Sequence, residues 1–224
     1  MSTAPVLPAQ LVRDVLSPAA ALGAALRGEP CLVVGSSRTT LLQTWRWRGD
    51  SDAIDEQLLV RCSGATVDIG CGPGRMTSAL LTRGIAALGI DIVPEAVEQT
   101  RARGGIALQR DVFSILPGEG RWDTALLADG NIGIGGDPVR LLRRAAQLLG
   151  PGGRVVVELS PPGGCVRTHG IRLQVRGKQT PRFAWAVVPA DSIADLAAAS
   201  VLRVIEVIEH QGRWIAELAK SASR

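Results

Sequence analysis

The residues best equipped for chemistry lie in one short stretch, Val67-Asp68-Ile69-Gly70-Cys71-Gly72-Pro73-Gly74. Three glycines at alternate positions let a chain turn sharply and approach a ligand with no Cβ in the way. The carboxylate of Asp68, two positions before the first of them, suits a cationic ligand and would repel a pyrophosphate. A dinucleotide fingerprint also wants Gly or Ala three positions after its second glycine, and counting from Gly72 that position is Arg75. Asp91 follows 21 positions after Gly70 and can accept both hydroxyl protons of a ribose. Asp111 can accept from the exocyclic amine of an adenine with Val112 packing on the base, or it caps a turn.

A second group of candidates lies further along. Asp129-Gly130-Asn131-Ile132-Gly133-Ile134-Gly135-Gly136 is either backbone lying close to a ligand or a turn whose Asp and Asn satisfy their own backbone. His169 is a base that works near neutral pH, or a polar loop residue. His210 falls in a hairpin turn. Arg167, Arg172, Arg176, Lys178 and Arg182 share a stretch without an acid, either a solvated face or a surface for an anionic acceptor. Trp45-Arg46-Trp47-Arg48 is either a lid with an arginine facing a carboxylate or an apolar anchor that docks the N-terminal segment.

These positions need elements to hold them. Short apolar runs at Ala65–Ile69, Ile85–Ile90, Ile106–Gln109, Trp122–Ala128 and Arg154–Leu159 predict five strands. Helical stretches at Arg75–Arg83, Pro94–Arg103 and Asp137–Leu149 fall between them, the pattern of parallel βαβ units. The runs are almost continuously apolar, as in strands covered on both faces. Before this core, Ser17-Pro18 opens a helix to Arg27, and a hairpin over Cys31–Val34 and Thr39–Leu42 turns at Gly35-Ser36-Ser37-Arg38. A further helix is expected over Asp52–Cys62. After the core, Ile171–Arg176 alternates with period two and returns through Phe183–Val188. A helix at Asp191–Ala199 precedes two strands, Val201–Ile208 and Trp214–Leu218, joined as a hairpin.

Composition bounds the function. The 224 residues suit one α/β domain with an accessory segment. Net charge is +4, carried mostly by arginine, because Lys178 and Lys220 are the only lysines. Aromatic residues make up 3%, with no Tyr, so base-stacking platforms have little material and nucleic acid is disfavoured as a partner. Cys31, Cys62, Cys71 and Cys165 are scattered, and the two His complete no zinc pattern, so no metal is expected and the chain reads as reduced and cytoplasmic. The N-terminus has no basic start or long apolar stretch, and no window suggests a membrane span.

Residues 65 to 160 resemble the core of the class I S-adenosylmethionine-dependent methyltransferases. The likeness rests on the acid-x-Gly-x-Gly-x-Gly loop at 68 to 74, Asp91, Asp111, the fourth and fifth strands, and Leu148-Leu149-Gly150-Pro151-Gly152-Gly153 before the fifth. It implies a Rossmann-like, seven-stranded, mostly parallel sheet with an antiparallel last strand and helices on both faces. Residues 1–63 would form a lid or accessory segment and 64–224 the core, with a hairpin insertion over about 161–190. The implied cofactor is S-adenosyl-L-methionine. Gly70, Cys71, Gly72 and Gly74 would pass under its methionine part, Asp68 would lie near the ammonium, Asp91 and Ile92 would border the ribose, and Asp111 and Val112 the adenine. Asp129 counts both as a cofactor neighbour and, with Asn131 and His169, as a catalytic candidate. The segment after the fourth strand lacks the Asn/Asp-Pro-Pro-Tyr motif of amino-group methyltransferases. The expected reaction is methyl transfer to a small molecule, one reading being an anionic acceptor. An RNA methyltransferase and a non-catalytic cofactor-binding protein are the alternatives.

Overall fold

The computed structural model of the protein describes residues 15–35 and 38–220. The N-terminal stretch read for a leader and the turn residues Ser36 and Ser37 lie outside them. Helix α1 (Pro18–Leu26) starts where the Ser17 side chain accepts a hydrogen bond from the Ala20 amide at 3.1 Å. Strands β1 (Cys31–Val34) and β2 (Thr39–Leu41) pair antiparallel as expected. Two short helices follow, α2 (Trp45–Arg48) and α3 (Glu56–Leu59). The helix expected from Asp52 begins late. The Asp52 carboxylate accepts the amides of Ile54 and Asp55, a local turn that competes with helix.

The core then runs β3 (Thr66–Ile69), α4 (Arg75–Thr82), β4 (Ala87–Asp91), α5 (Pro94–Ala102), β5 (Ala107–Gln109), β6 (Trp122–Leu127), α6 (Pro138–Leu148) and β7 (Leu149–Leu159). Beyond it come β8 (Arg167–Val175), β9 (Lys178–Gln179), β10 (Phe183–Val187), α7 (Ile193–Ala199), β11 (Leu202–His210) and β12 (Arg213–Lys220). Seven strands form one sheet in the order β11-β12-β7-β6-β3-β4-β5. The inner strands are parallel, while β12 runs antiparallel between β7 and β11. This is the Rossmann-like α/β class expected.

Alternation along buried strands explains the two helical layers. Ala125, Leu127, Val155 and Val157 pack with Leu141, Leu142, Ile193 and Ala197 of α6 and α7. Leu126, Val156 and Ile215, one residue out of phase, pack with Leu58, Leu59, Met76 and Leu80 of α3 and α4.

The last hairpin is tighter than its sequence implies. His210 pairs with Arg213, so the turn is only Gln211 and Gly212, at φ 50° and 81°. His210 therefore ends a strand, and Arg213 starts one. A second sheet joins segments far apart in sequence, in the order β10-β8-β1-β2. Its apolar face, with Cys31, Leu173 and Val175, packs on Ala21, Ala24 and Ala25 of α1. The N-terminal segment and the insertion are thus one structural layer. It reaches the core where Trp185 bridges Ile134 and Ser160 bridges Pro189.

Candidate active site

The glycine loop leaves β3 and enters α4, with Gly70, Gly72 and Gly74 at φ 71°, 53° and 84°. Only two of the three need explaining by packing. A Cβ on Gly74 would lie 2.6 Å from Cγ2 of Thr100, so that glycine lets α4 and α5 approach. A Cβ on Gly70 would lie 2.8 Å from Nδ2 of Asn131. A Cβ on Gly72 would meet nothing within 4 Å, so the loop's middle faces open space. Asp91, at the end of β4, borders that space. Its carboxylate accepts the Gly72 and Val93 amides, both at 2.9 Å, and stays partly exposed. Burial pushes its carboxyl up, against the pull of those amides. Ile92 is exposed beside it. A loop with an open backbone face, edged by a fixed carboxylate, fits the ribose and methionine parts of S-adenosylmethionine.

Other sequence candidates sit deeper. Asp68 is 1% exposed and accepts from the Thr77 hydroxyl at 2.7 Å. Burial pushes its carboxyl up to about 6, aided by the charges of Asp129 and Asp91. Its charge acts from beneath the loop. The Cys71 thiol also points inward, toward Thr100, and burial raises it. Asp111 is exposed beyond β5 and accepts the Phe113 amide at 2.9 Å, while Val112 is buried in the core.

Beyond β6 the chain makes a strained turn. Asp129 has φ 52°, a left-handed conformation uncommon outside glycine. Its amide donates to Oε2 of Glu158 at 2.7 Å. Asn131 donates from Nδ2 to the carbonyls of Ile69 and Gly70, at 3.0 and 2.8 Å, and so ties this turn to the glycine loop.

Asp129 belongs to a buried ion network that sequence reading missed. Arg75 binds Asp55 and donates to Oδ2 of Asp129 at 2.5 Å. Arg213 donates from Nη1 to Oδ1 of Asp55 at 2.7 Å and from Nε to Oε1 of Glu158 at 2.7 Å. Asp55 is fully buried, and burial alone would raise its carboxyl. Hydrogen bonds from Arg75 and Arg213 outweigh that and hold it below the usual carboxylate range. Asp129 goes the other way, because burial and Glu158 together outweigh Arg75 and push it up. The signal for Glu158 was present, an acid inside the apolar run Val155-Val156-Val157-Glu158-Leu159. Nothing local marked Asp55.

The Trp/Arg cluster divides. Trp47 packs on Leu26, Val93 and Ala96 and docks the N-terminal segment, whereas Trp45 is exposed. Arg46 turns inward, 3.8 Å from Asp55, with Nε and Nη2 buried and lacking hydrogen-bond partners.

A cavity of about 290 Å³ opens at the ends of β6 and β7, with Trp185 of β10 on its wall and Glu158 and Arg213 at its polar end. His169 is exposed on β8, opposite Trp185 in register, and does not line the cavity. Neither do Arg172 and Arg176. Arg176 sits in a tight turn and pairs with Glu29 at 2.6 Å.

Residues 66–153 match the family model described as the methyltransferase domain. Over those residues the chain is similar to a methyltransferase domain, and its fold is that of S-adenosylmethionine-dependent methyltransferases of solved structure, as the resemblance implied. Curated relatives include uncharacterized methyltransferases of Mycobacterium bovis and Mycobacterium tuberculosis, each 31% identical over 106 residues. That alignment covers 46% of this chain and 42% of each relative, so the chain spans well under half of their length. Among solved structures, an S-adenosylmethionine-dependent methyltransferase from Bacteroides fragilis, in complex with S-adenosyl-L-homocysteine, superposes with a TM-score of 0.77 at 22% identity. The match covers 97% of this chain and 98% of that one. The 1,6-didemethyltoxoflavin-N1-methyltransferase of Burkholderia thailandensis, with that compound and S-adenosylhomocysteine bound, gives 0.61 at 17% identity over 99% and 94%. At these identities the likeness is one of fold. No helix of the described residues is long and apolar enough to cross a membrane.

Proposed function

We propose that this protein transfers the methyl group of S-adenosylmethionine to a small-molecule acceptor. One observation carries the reading. The open backbone face at Gly72, edged by Asp91, lies on the same rim of the sheet as the strained Asp129 turn and the 290 Å³ cavity. Open α/β sheets bind their ligands at that rim. A cavity near 300 Å³ is at the small end for ligand sites and suits a compact acceptor rather than a polymer.

Roles follow from the geometry. Asp91 accepts from the ribose hydroxyls, and the loop 70–74 passes beneath the methionine part. Arg46, with two buried nitrogens lacking hydrogen-bond partners, meets the methionine carboxylate. When bound, the cofactor supplies a methyl group already activated by its sulfonium. The chain must then align the acceptor, exclude water and hold a proton where one is released. Asp129 holds that proton, and Asn131 fixes its turn against the loop. Strand β10 of the small sheet walls one side of the cavity with Trp185, Ala186 and Val187. Two proteins of similar fold, the 1,6-didemethyltoxoflavin-N1-methyltransferase and a sugar N-methyltransferase, are named for small acceptors.

Calorimetry tests the cofactor assignment. S-adenosylhomocysteine should bind in the micromolar range, about −8 kcal/mol, and NAD far more weakly. Asp91→Ala should weaken S-adenosylhomocysteine about tenfold or more, since a hydrogen bond to a charged group contributes about 1.5–3 kcal/mol. Tighter binding of NAD would overturn the reading.

A further inference from the structure

We propose that the cavity beside Trp185 is the acceptor site, and that it selects a planar, uncharged ring over an ionised one, with Ser160 as the polar contact. This rests on the methyltransferase reading above and adds the chemical class of acceptor.

The wall argues for the ring. Among the described residues, Trp185 is the only aromatic lining the cavity, with Ile132, Leu159, Pro161 and Val187 around it. An indole flanked by aliphatic side chains takes a flat apolar body at an offset-stacked or edge contact.

The charged lining argues against an ion of either sign. It consists of Glu158 and Arg213, and these close on each other. Nε of Arg213 donates to Oε1 of Glu158 at 2.7 Å, Nη2 donates to Oε2, and Nη1 donates to Asp55 at 2.7 Å. Oε2 of Glu158 also accepts the Asp129 amide. Each guanidinium nitrogen and both carboxylate oxygens are therefore engaged, and the pair carries no net charge. An ion leaving water for this wall gives up hydration and meets no free counter-charge in return. The buried nitrogens of Arg46 and Arg75 that lack hydrogen-bond partners do not alter this balance, because neither residue lines the cavity.

One polar group of the wall is free. Ser160 lines the cavity just past the end of β7. Its amide donates to the Val188 carbonyl at 2.9 Å and its carbonyl accepts the Ala190 amide at 3.0 Å, so both backbone groups are committed. Its hydroxyl has no hydrogen-bond partner among the described residues. A hydroxyl both donates and accepts, so it can meet a ring nitrogen, a ring N–H or a ring carbonyl without a charge on the ligand. Stacking on Trp185 and one neutral hydrogen bond to Ser160 together select a heteroaromatic or similarly conjugated ring in its neutral form.

Three probes share one planar outline and differ in charge: benzamide is neutral, benzoate an anion and benzamidine a cation. Their binding to the full chain, saturated with S-adenosylhomocysteine at neutral pH, is followed by saturation-transfer nuclear magnetic resonance and titration. Benzamide should bind about tenfold more tightly than either ion, a difference of about 1.4 kcal/mol. Trp185→Ala should weaken benzamide about tenfold, and Trp185→Phe should restore most of that loss. Ser160→Ala removes no hydrogen bond within the protein, so it should fold normally and weaken benzamide about fivefold. S-adenosylhomocysteine should bind all three variants as it binds wild type. Equal or tighter binding of benzoate or benzamidine overturns the inference. So does failure of all three probes to bind, or benzamide binding that neither alanine variant alters. Failure of S-adenosylhomocysteine itself to bind wild type falls instead on the methyltransferase reading.

Discussion

Asp55 and Arg213 lie 158 positions apart in sequence and meet at 2.7 Å beneath the rim of the sheet. One belongs to the N-terminal segment and the other opens the last strand. Asp55 also binds Arg75, the first residue of the helix behind the glycine loop. A single buried carboxylate therefore fixes the N-terminal segment, the loop helix and the floor of the cavity together.

Removing it should cost stability directly. Asp55→Ala leaves two buried arginines short of a partner, and breaking a buried pair costs about 3–5 kcal/mol. For a chain of this size that corresponds to a fall in melting temperature of about 10 °C. Thermal denaturation followed by circular dichroism measures it. An unchanged melting temperature would mean that Asp129 and Glu158 satisfy both arginines without help.

The glycines separate into a ligand position and a packing position. Gly72→Val places its side chain in open space, so its fold cost is the left-handed backbone, about 1–2 kcal/mol. Cofactor binding should be lost while far-ultraviolet circular dichroism stays near normal. Gly74→Ala drives a Cβ into Thr100, including its backbone Cα at 2.8 Å, and should lower the melting temperature more than Gly72→Val does. The reverse order of stabilities would reject this division.

Much of this was legible in the sequence, for a physical reason. Buried parallel strands must be apolar, helix starts carry Pro or a capping side chain, and a sharp loop needs glycine, so each signal is local. Cys31–Val34, the Asp137 cap, whose side chain accepts the Arg140 amide at 3.0 Å, and the alternation of core strands with helices all follow from such signals. The ion network does not. Arg75 meets Asp129 across 54 positions and Arg213 meets Glu158 across 55, and such pairs exist only once the sheet has formed. The second sheet was hidden in the same way, because β1 takes β8 as a partner from the far side of the core. The inward turn of the Cys71 thiol and the full burial of Asp68 were hidden too, because a loop's glycines show that a ligand can approach but not which neighbours face it.

Asp129 should matter for rate more than for binding of the cofactor. Its carboxyl is raised mainly by burial, which makes it a stronger base than a surface aspartate. With an acceptor in hand, kcat should fall as pH drops through that raised value. Asp129→Asn should reduce kcat by about 10²–10⁴ and remove the acid limb of the profile. The Kd for S-adenosylhomocysteine should hold. A variant that keeps both kcat and the acid limb would show that the acceptor loses its proton elsewhere.

Asp68 makes a prediction that needs no acceptor. Its carboxyl titrates at 3.8 when unperturbed and at about 6 when folded, because burial penalises the charged form. The folded state therefore binds the proton more tightly than the unfolded chain does. Between those values the native state holds more protons, so stability must fall as pH rises. The contribution of Asp68 is complete below about 3.8 and lost above about 6, and its size is about 3 kcal/mol. Asp68→Asn cannot ionise, while its side-chain oxygen still accepts from the Thr77 hydroxyl. Asp55, Asp91 and Asp129 titrate in both proteins, so subtracting one urea-denaturation series from the other leaves Asp68 together with its coupling to Asp129 and Asp91. The variant should gain up to about 3 kcal/mol on wild type between pH 4 and pH 7, with no further change above. A difference that stays flat over that range would mean that Asp68 is ionised throughout, held charged by Arg75 and Thr77, and that its burial is offset within the fold.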